Sequence, residues 1–162
     1  MAAVDYFLKI DSIEGESTDK TNSKQIDVES WSWGESNSGG SHIGSGAGAG
    51  KVSMQDFHFT MKLNKATPKL MLACATGQHI KSATLTCRKA GGKQEDFLKI
   101  KFENVLVSSY QTGGSSGANV VPMDQISLSF SKIEFEYKEQ KADGSMGSPV
   151  KAGYNIKTNA KV

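Results

Sequence analysis

The stretch WSWGESNSGGSHIGSGAGAGKVSMQDFHF, residues 31–59, joins two apolar segments through a long run made mostly of Gly, Ser and Ala. Apolar and polar residues alternate at both ends of the stretch, which is typical of half-buried β-strands. The run between them is rich in Gly, which loses more conformational freedom on folding than any other residue. A loop of this length without a core of its own is usually functional or disordered. The stretch therefore predicts a long extended loop, over about residues 35–50, carried by an otherwise compact β protein.

The apolar positions on both sides of this loop change face partway along. Ile26 and Val28 have one parity and Trp31 has the other, so the change falls at residues 29–30. A second change falls at residues 55–56. A change of parity sends side chains to the opposite face of a sheet unless a bulge or bend absorbs it. We predict a bulge at residues 29–30, in long strands that suit a sheet that curls or switches partner sheets.

One helix is predicted, over about residues 65–76. Thr67 can cap it, Pro68 occupies its first position and Gly77 can end it. The other apolar segments alternate with a period of two, and the pair Gly91–Gly92 predicts a hairpin turn. The fold class is therefore mainly β, an antiparallel sandwich or barrel of about seven or eight strands with one short α-helix. No repeat or linker interrupts residues 1–162, which we interpret as a single domain.

Composition excludes several classes of function. The 19 Lys and Arg residues nearly balance the 17 Asp and Glu residues, and a net charge of +2 is too small to indicate nucleic acid or an acidic membrane as a partner. The N-terminus has no apolar run long enough for a signal peptide, and no segment could span a membrane. Cys74 and Cys87 do not form a disulfide framework and are interpreted as reduced thiols of a protein made in the cytosol.

The sequence contains no complete catalytic motif. The segment GSGAGAGKV at residues 44–52 is like a P-loop, but Ser45 stands where a Gly is required and Val52 where Ser or Thr would hold magnesium. The three histidines lack the close spacing of metal motifs, and no serine sits in a nucleophile elbow. The residues therefore predict no enzyme, no cofactor and no metal site.

Five other residues that could carry chemistry have simpler interpretations. The aromatic pair could form a ligand platform, but core or interface residues are the commoner fate of such side chains. The aspartates are interpreted as solvated or turn residues rather than acid–base pairs. These residues are Trp31, Trp33, Asp5, Asp56 and Asp124.

Motifs along the whole chain resemble the haemolysin-coregulated protein (Hcp) family, the tube protein of bacterial type VI secretion. They are DYFLKI (5–10), IDVESWSWG (26–34), GKVSMQDFHF (50–59), TPKLMLACATGQH (67–79), RKAGG (88–92), VLVSSYQTGG (105–114), EFEYKEQKADG (134–144) and GYNIKTN (153–159). The sequence departs from the family at Asn22, where relatives often have His, and at Tyr154, where they often have Trp.

The resemblance implies a fold like that of phage tail-tube proteins and a hexameric ring that stacks into a hollow tube. Such a tube lies inside a contractile sheath on a baseplate and carries a spike at its tip. Sheath contraction expels it, so the protein is assembled in the cytoplasm and appears outside the cell without a signal peptide. Small effectors can be carried in the lumen of the ring, and no nucleic acid or membrane insertion is implied.

Two sets of candidate site residues follow from this resemblance. Ser32 lies between the two tryptophans, faces away from what they bury, and is a candidate lumen residue that contacts effectors. The Gly-rich loop is a candidate contact with an adjacent subunit or the next ring. Its candidate residues are Ser38, Gly39, Gly40, Ser41, His42, Ile43, Gly44, Ser45, Gly46, Ala47 and Gly48.

Two other functions stay open on the sequence alone. One is a secreted ring that carries or protects effectors without a role in a tube. The other is a monomeric β-sandwich that binds a ligand, such as a secreted adhesin. The first predicts a ring and the second predicts a monomer.

Overall fold

A computed structural model describes residues 4–38, 51–89, 93–117 and 121–162 of the chain. These residues form one helix, α1 (Thr67–Thr76), and twelve strands, so the predicted mainly-β fold with one short helix is confirmed. The strands are β1 (Val4–Ile10), β2 (Ile26–Val28), β3 (Ser30–Ser32), β4 (Glu35–Asn37), β5 (Val52–Met54), β6 (Phe57–Lys62), β7 (Ile80–Lys89), β8 (Asp96–Gly113), β9 (Met123–Ser129), β10 (Lys132–Tyr137), β11 (Val150–Asn155) and β12 (Ala160–Lys161). They outnumber the predicted seven or eight because several segments predicted as one strand are divided.

The strands form two antiparallel layers that share one strand. The first layer, sheet A, has the order β12-β11-β10-β8-β7-β1-β2. The second, sheet B, has the order β3-β6-β9-β8. The first half of β8 pairs with β7 and β10, and its second half pairs with β9. The architecture is therefore a sandwich joined through β8, not a closed barrel.

The predicted changes of parity occur where the chain leaves one sheet for another. β2 pairs with β1 in sheet A, whereas β3 pairs with β6 in sheet B, and only Glu29 separates them. The change of face is thus correct, but the predicted bulge is wrong, because the strand ends and restarts in the other layer. At residues 55–56 the chain likewise passes from β5, which pairs with β4 in a separate hairpin, into β6.

Aromatic rings fill the space between the layers. The ring of Phe57 lies 4.7 Å from that of Phe102 and 5.9 Å from that of Phe59, centroid to centroid. Trp31 stacks on Phe57 at 6.2 Å, and Trp33 lies 5.6 Å from the Phe135 ring. Aromatic pairs at such distances contribute beyond the area they bury. The tryptophans therefore extend the core to its edge, as interpreted from the sequence.

Helix α1 ends at the predicted residue but begins differently from the prediction. Gly77 ends it in a left-handed conformation (φ 67°) and donates its backbone N–H to the Ala73 carbonyl, as expected for a C-terminal glycine. Ala66, not Thr67, occupies the N-cap position, and no side chain caps the helix. The predicted cap is wrong because the Thr67 hydroxyl instead donates to Asp124 Oδ2 at 2.7 Å.

Asp124 is buried, so its interpretation as a solvated or turn residue is also wrong. Its side chain has no solvent exposure, and it accepts hydrogen bonds from Thr67 and from the hydroxyl of Tyr110, at 3.1 Å. Burial raises the pKa of Tyr110, which favours the protonated hydroxyl that donates this bond. A buried charge is tolerated where such partners satisfy it. The carboxylate therefore fixes the start of helix α1 on sheet B.

Replacing Thr67 by Val tests this anchor, because Val keeps the shape and removes the hydroxyl that donates to Asp124 and accepts from the Asn64 N–H at 3.1 Å. Loss of a hydrogen bond to a charged group costs about 1.5–3 kcal/mol, and we expect urea unfolding to show a loss of this size. Thr76→Val is the matched control, since the Thr76 hydroxyl is exposed and bonds only the Leu72 carbonyl one turn earlier. Equal effects of the two substitutions would show that Asp124 does not depend on Thr67.

Arg88 fixes the loop between β1 and β2 to sheet A. Its guanidinium, almost entirely buried, donates to both oxygens of Asp19 at 2.8 and 2.6 Å and approaches Asp5 at 3.4 Å. It also lies 4.8 Å above the ring of Phe7. The hydrogen bond from Arg88 lowers the pKa of Asp19, whereas burial and the nearby carboxylates raise the pKa of Asp27. At neutral pH, ionised Asp19 therefore stabilises the folded protein, whereas ionised Asp27 destabilises it.

We expect Asp19→Asn to destabilise the protein at neutral pH and much less in acid. A carboxyl with a depressed folded-state pKa contributes stability above its unfolded value, near 3.8, and loses it as pH falls through the folded value. The difference in unfolding free energy between variant and wild type should therefore be largest at pH 7 and shrink below pH 4. Asp27→Asn should not destabilise at pH 7, because the raised pKa of Asp27 opposes folding there. A pH-independent difference for Asp19→Asn would contradict this assignment.

Candidate functional site: the polar face of sheet B

The two faces of sheet B have different chemistry. The face toward sheet A carries buried apolar residues such as Phe59, Met61, Ile126 and Leu128. The opposite face also carries Lys62, at the end of β6, which pairs with Glu29 at 3.6 Å. The part that we call the polar face carries hydroxyl, amide and imidazole groups and no lysine, arginine or carboxylate. Its residues are Ser30, Ser32, His58, Thr60, Ser109, Gln111, Gln125 and Ser127. The alternation along the strands produces this division, since successive side chains point to opposite faces.

The polar face is organised as two rows that cross all four strands. One row places Ser32 opposite His58, His58 opposite Ser127, and Ser127 opposite Ser109. Within it, His58 Nδ1 and the Ser127 hydroxyl share a hydrogen bond of 2.6 Å. A depression of about 560 Å³ lies over the face. The row thus offers hydroxyl and imidazole groups along a continuous line.

The second row has the same neutral character. Ser30 lies opposite Thr60, Thr60 opposite Gln125, and Gln125 opposite Gln111. The hydroxyls of Ser30 and Thr60 are 2.6 Å apart and share a hydrogen bond. A shift of register between Val107 and Ser109, which leaves one extra residue in β8, aligns Ser109 and Gln111 with their partners on β9. The local irregularity therefore completes both rows.

The structure places Ser32 on the polar face, among residues that the sequence interpretation did not identify. Ser32 is exposed, whereas its neighbour Trp31 packs against Phe57. The other seven polar-face residues were missed, although the segments SWS, HFT and QIS each place polar residues on both sides of an apolar one. That signal marks a polar face on each strand, but not which strands lie side by side.

The candidate residues of the Gly-rich loop are placed only at its base. β4 and β5 pair as a hairpin, with Glu35 opposite Met54 and Asn37 opposite Val52. Ser38 follows β4 and is exposed. The other candidates, Gly39 to Gly48, lie outside the described residues, so their proposed contacts stay predictions.

Chemically reactive groups are sparse on the described surface. Across residues 4–38, 51–89, 93–117 and 121–162, no group of three or more His, Cys, Asp or Glu side chains is arranged to hold a metal ion. Both cysteines are free thiols, and burial raises the pKa of Cys87 to about 12, which keeps it a thiol. Within the same ranges, no helix is long and apolar enough to cross a bilayer. The groups that the polar face does supply are hydrogen-bond donors and acceptors along both rows.

Known proteins are similar to this chain in sequence and fold over nearly its whole length. The family model described as "Type VI secretion system effector, Hcp" matches residues 7–137. The Protein hcp1 of Pseudomonas aeruginosa is 50% identical over 161 residues, which cover 98% of this chain and 99% of that protein. Hcp1 from Salmonella typhimurium has a solved structure with a TM-score of 0.82 and 33% identity, with full coverage of both chains. A structure described as a type six secretion system protein reaches a TM-score of 0.93 at 31% identity, over 99% of this chain and all of that one.

The matching family model and the sandwich fold shared with a solved type VI secretion structure identify a β protein of the type VI secretion system. Within that system, the family model, the sequence identity and the fold all indicate the same family. The chain belongs to the Hcp family. Family membership carries an association with type VI secretion and with export by that route.

Proposed function

We propose that this chain is the subunit of the type VI secretion inner tube. Six copies form a ring, rings stack into a hollow conduit, and sheath contraction expels the tube. The ring also carries small effectors in its lumen. The spike at the tip, the contractile sheath and the baseplate are the other partners in this proposal. Membership of the Hcp family supports it at the level of the secretion system.

The neutral polar face is the observation that carries the proposal for this chain. Both rows cross the whole width of sheet B without a lysine, arginine or carboxylate. If the two rows line a channel, that part of the wall holds no fixed full charge to retain a cargo of the opposite sign. Hydroxyl and amide groups can both donate and accept hydrogen bonds, so they can bind varied polar surfaces weakly. Such a wall suits transient binding followed by release.

Solution mass by light scattering, with electron microscopy of the same sample, tests the ring. We expect a mass near six chains and annular particles with a central hole. A monomer over a wide range of concentrations would contradict the tube subunit and the effector carrier alike. It would favour the monomeric ligand-binding alternative.

Ser32→Arg tests the polar face as the lumen wall. The larger cation should obstruct the β3 end of the row and place a fixed charge there, which should weaken retention of an effector by the ring at least ~10-fold, the equivalent of 1.4 kcal/mol. The ring should still form, because Ser32 is exposed and contributes nothing to the core. Co-purification of a coexpressed effector, normalised to ring mass, measures the effect.

Ser148→Arg is the matched control for that substitution. Ser148 is also an exposed serine, but it lies in the segment before β11 and lines neither the depression over the polar face nor the groove beside the hairpin β4–β5. Its variant should retain the effector as the wild type does. Loss of the effector in both variants, or in neither, would place the lumen wall elsewhere.

Deletion of residues 39–48 tests the Gly-rich loop. We propose that this loop contacts an adjacent subunit or the next ring, and that ordering its glycines makes the contact weak enough to be reversible. The deletion should leave single rings and shorten or abolish stacks in electron micrographs. Stacks of normal length would exclude the loop from ring-to-ring contact. If wild-type rings never stack but do protect effectors, the carrier without a tube role is the better description.

A further inference from the structure

Helix α1 has an outward face that is apolar where a surface helix is normally charged. Its ten residues, TPKLMLACAT, contain one charged side chain, Lys69. Leu70 and Ala73 are fully buried against the chain itself, yet Met71 and Leu72 are 48% and 56% exposed. Pro68 and Ala75 are also exposed and continue the same face at helical spacing. A helix that is apolar all round is typical of an element buried on both sides.

A concave apolar surface lies elsewhere on the same chain. It is a groove of about 750 Å³ between the hairpin β4–β5 and the strands β10 and β11. Helix α1 contributes no residue to it. Its apolar lining consists of Trp33, Val52, Met54, Ile133, Phe135 and Tyr154. Glu35 and Lys51 provide its charged groups.

The hairpin that forms one wall of the groove has little support of its own. β4 and β5 form a separate two-stranded sheet, and all three β4 residues are exposed. The hairpin is held at its base, where Trp33 Nε1 donates to the Gln55 carbonyl at 2.9 Å and Gln55 donates its N–H to the Gly34 carbonyl. An isolated two-stranded hairpin is marginally stable in water. An occupant of the groove would therefore stabilise the hairpin as well as cover the aromatic lining.

We propose that the groove of one copy receives the outward face of helix α1 of a second copy, with Met71 and Leu72 inserted between the hairpin and β10–β11. This contact rests on the ring proposed above and defines its subunit interface. Two unlike, mutually complementary patches on one chain make a heterologous contact, which repeats head to tail and gives a ring when its rotation closes and an open filament when it does not. A self-complementary patch would instead give a two-fold dimer.

The charges favour one orientation of the helix in the groove. Lys69 is the only charge that the helix brings, and Glu35 is the only carboxylate among the groove residues. Pairing them places the start of the helix beside Glu35 on β4 and away from Lys51, which precedes β5. The helix contributes no acidic residue that would be buried without a partner in the contact, which avoids the cost of an uncompensated charge.

Substitution of the helix face is the first test. Leu72→Lys puts a charge at the centre of the contact but leaves the exposed helix intact, since Lys is a good helix former. We expect the concentration at which rings dissociate to rise at least ~10-fold, an effect typical of losing one buried contact. Circular dichroism and the urea midpoint of the dissociated protein should not change. Val121→Lys, at a residue 47% exposed outside the helix and the groove, is the control and should leave the rings intact.

Cross-linking identifies the occupant. In a Cys74→Ser background, Leu72→Cys combined with Ala152→Cys places one thiol on the helix and one in the groove. A short bis-maleimide should then join chains into a ladder that ends at six on a denaturing gel. Leu72→Cys combined with Val121→Cys should give no ladder. The remaining native thiol, Cys87, is buried and should not react.

The possible outcomes separate this contact from the ring itself. Annular particles of six-chain mass without a ladder, and with Leu72→Lys rings as stable as wild type, would overturn the contact and leave the ring standing. A groove occupied by a small molecule or another protein would give that same result. A wild-type monomer at all concentrations would overturn both the contact and the ring. A ladder to six together with weakened Leu72→Lys rings supports the proposal.

Discussion

The structure depends on one strand that belongs to two layers. β8 is 18 residues long and must present apolar side chains to the core from both sheets. A regular strand cannot do so, because its period of two would turn one half outward. Asn104 relieves this conflict with a left-handed conformation (φ 55°), one that asparagine adopts more readily than most residues, and its amide donates to the Ser131 hydroxyl at 2.8 Å. Phe102 and Val105, on the two sides of this point, are consequently both buried.

The same conflict is solved differently in the other strands that pass between the layers. At Glu29 the chain ends one strand and starts another, and the Glu29 N–H donates to the Thr60 carbonyl at the change of layer. Phe57 lies just beyond the second such change, with its ring against Phe102 and Trp31. Large rings fill the inner corner that a change of layer creates, since side chains from both sheets converge there. The hairpin β4–β5, by contrast, pairs with neither sheet and contacts the core only at its base, through Met54 of β5.

The sequence was sufficient for the fold class and for the positions where strands change face. It did not decide between a bulge at residues 29–30 and a change of sheet, because both produce the same shift of parity. It also did not indicate that Asp124 is buried, since the hydroxyl that satisfies it belongs to Thr67, 57 residues earlier. The sequence also did not predict the polar face, again because the residues that form it are far apart in the chain. Alternation along a strand is local, but the rows that join Ser32 to Ser109 depend on register between strands far apart in sequence.

Three features of the single chain are difficult to account for on a free monomer. A helix with one charged residue, a hairpin that pairs only with itself and an aromatic groove each expose surface that folding normally covers. The polar face has the opposite character, since its uncharged groups are well solvated and need no cover. The proposed ring would reconcile the two, because it would bring the apolar surfaces of successive copies together and turn the polar faces toward a common centre. The alternation that built sheet B would then determine both the core of each subunit and the chemistry of the channel.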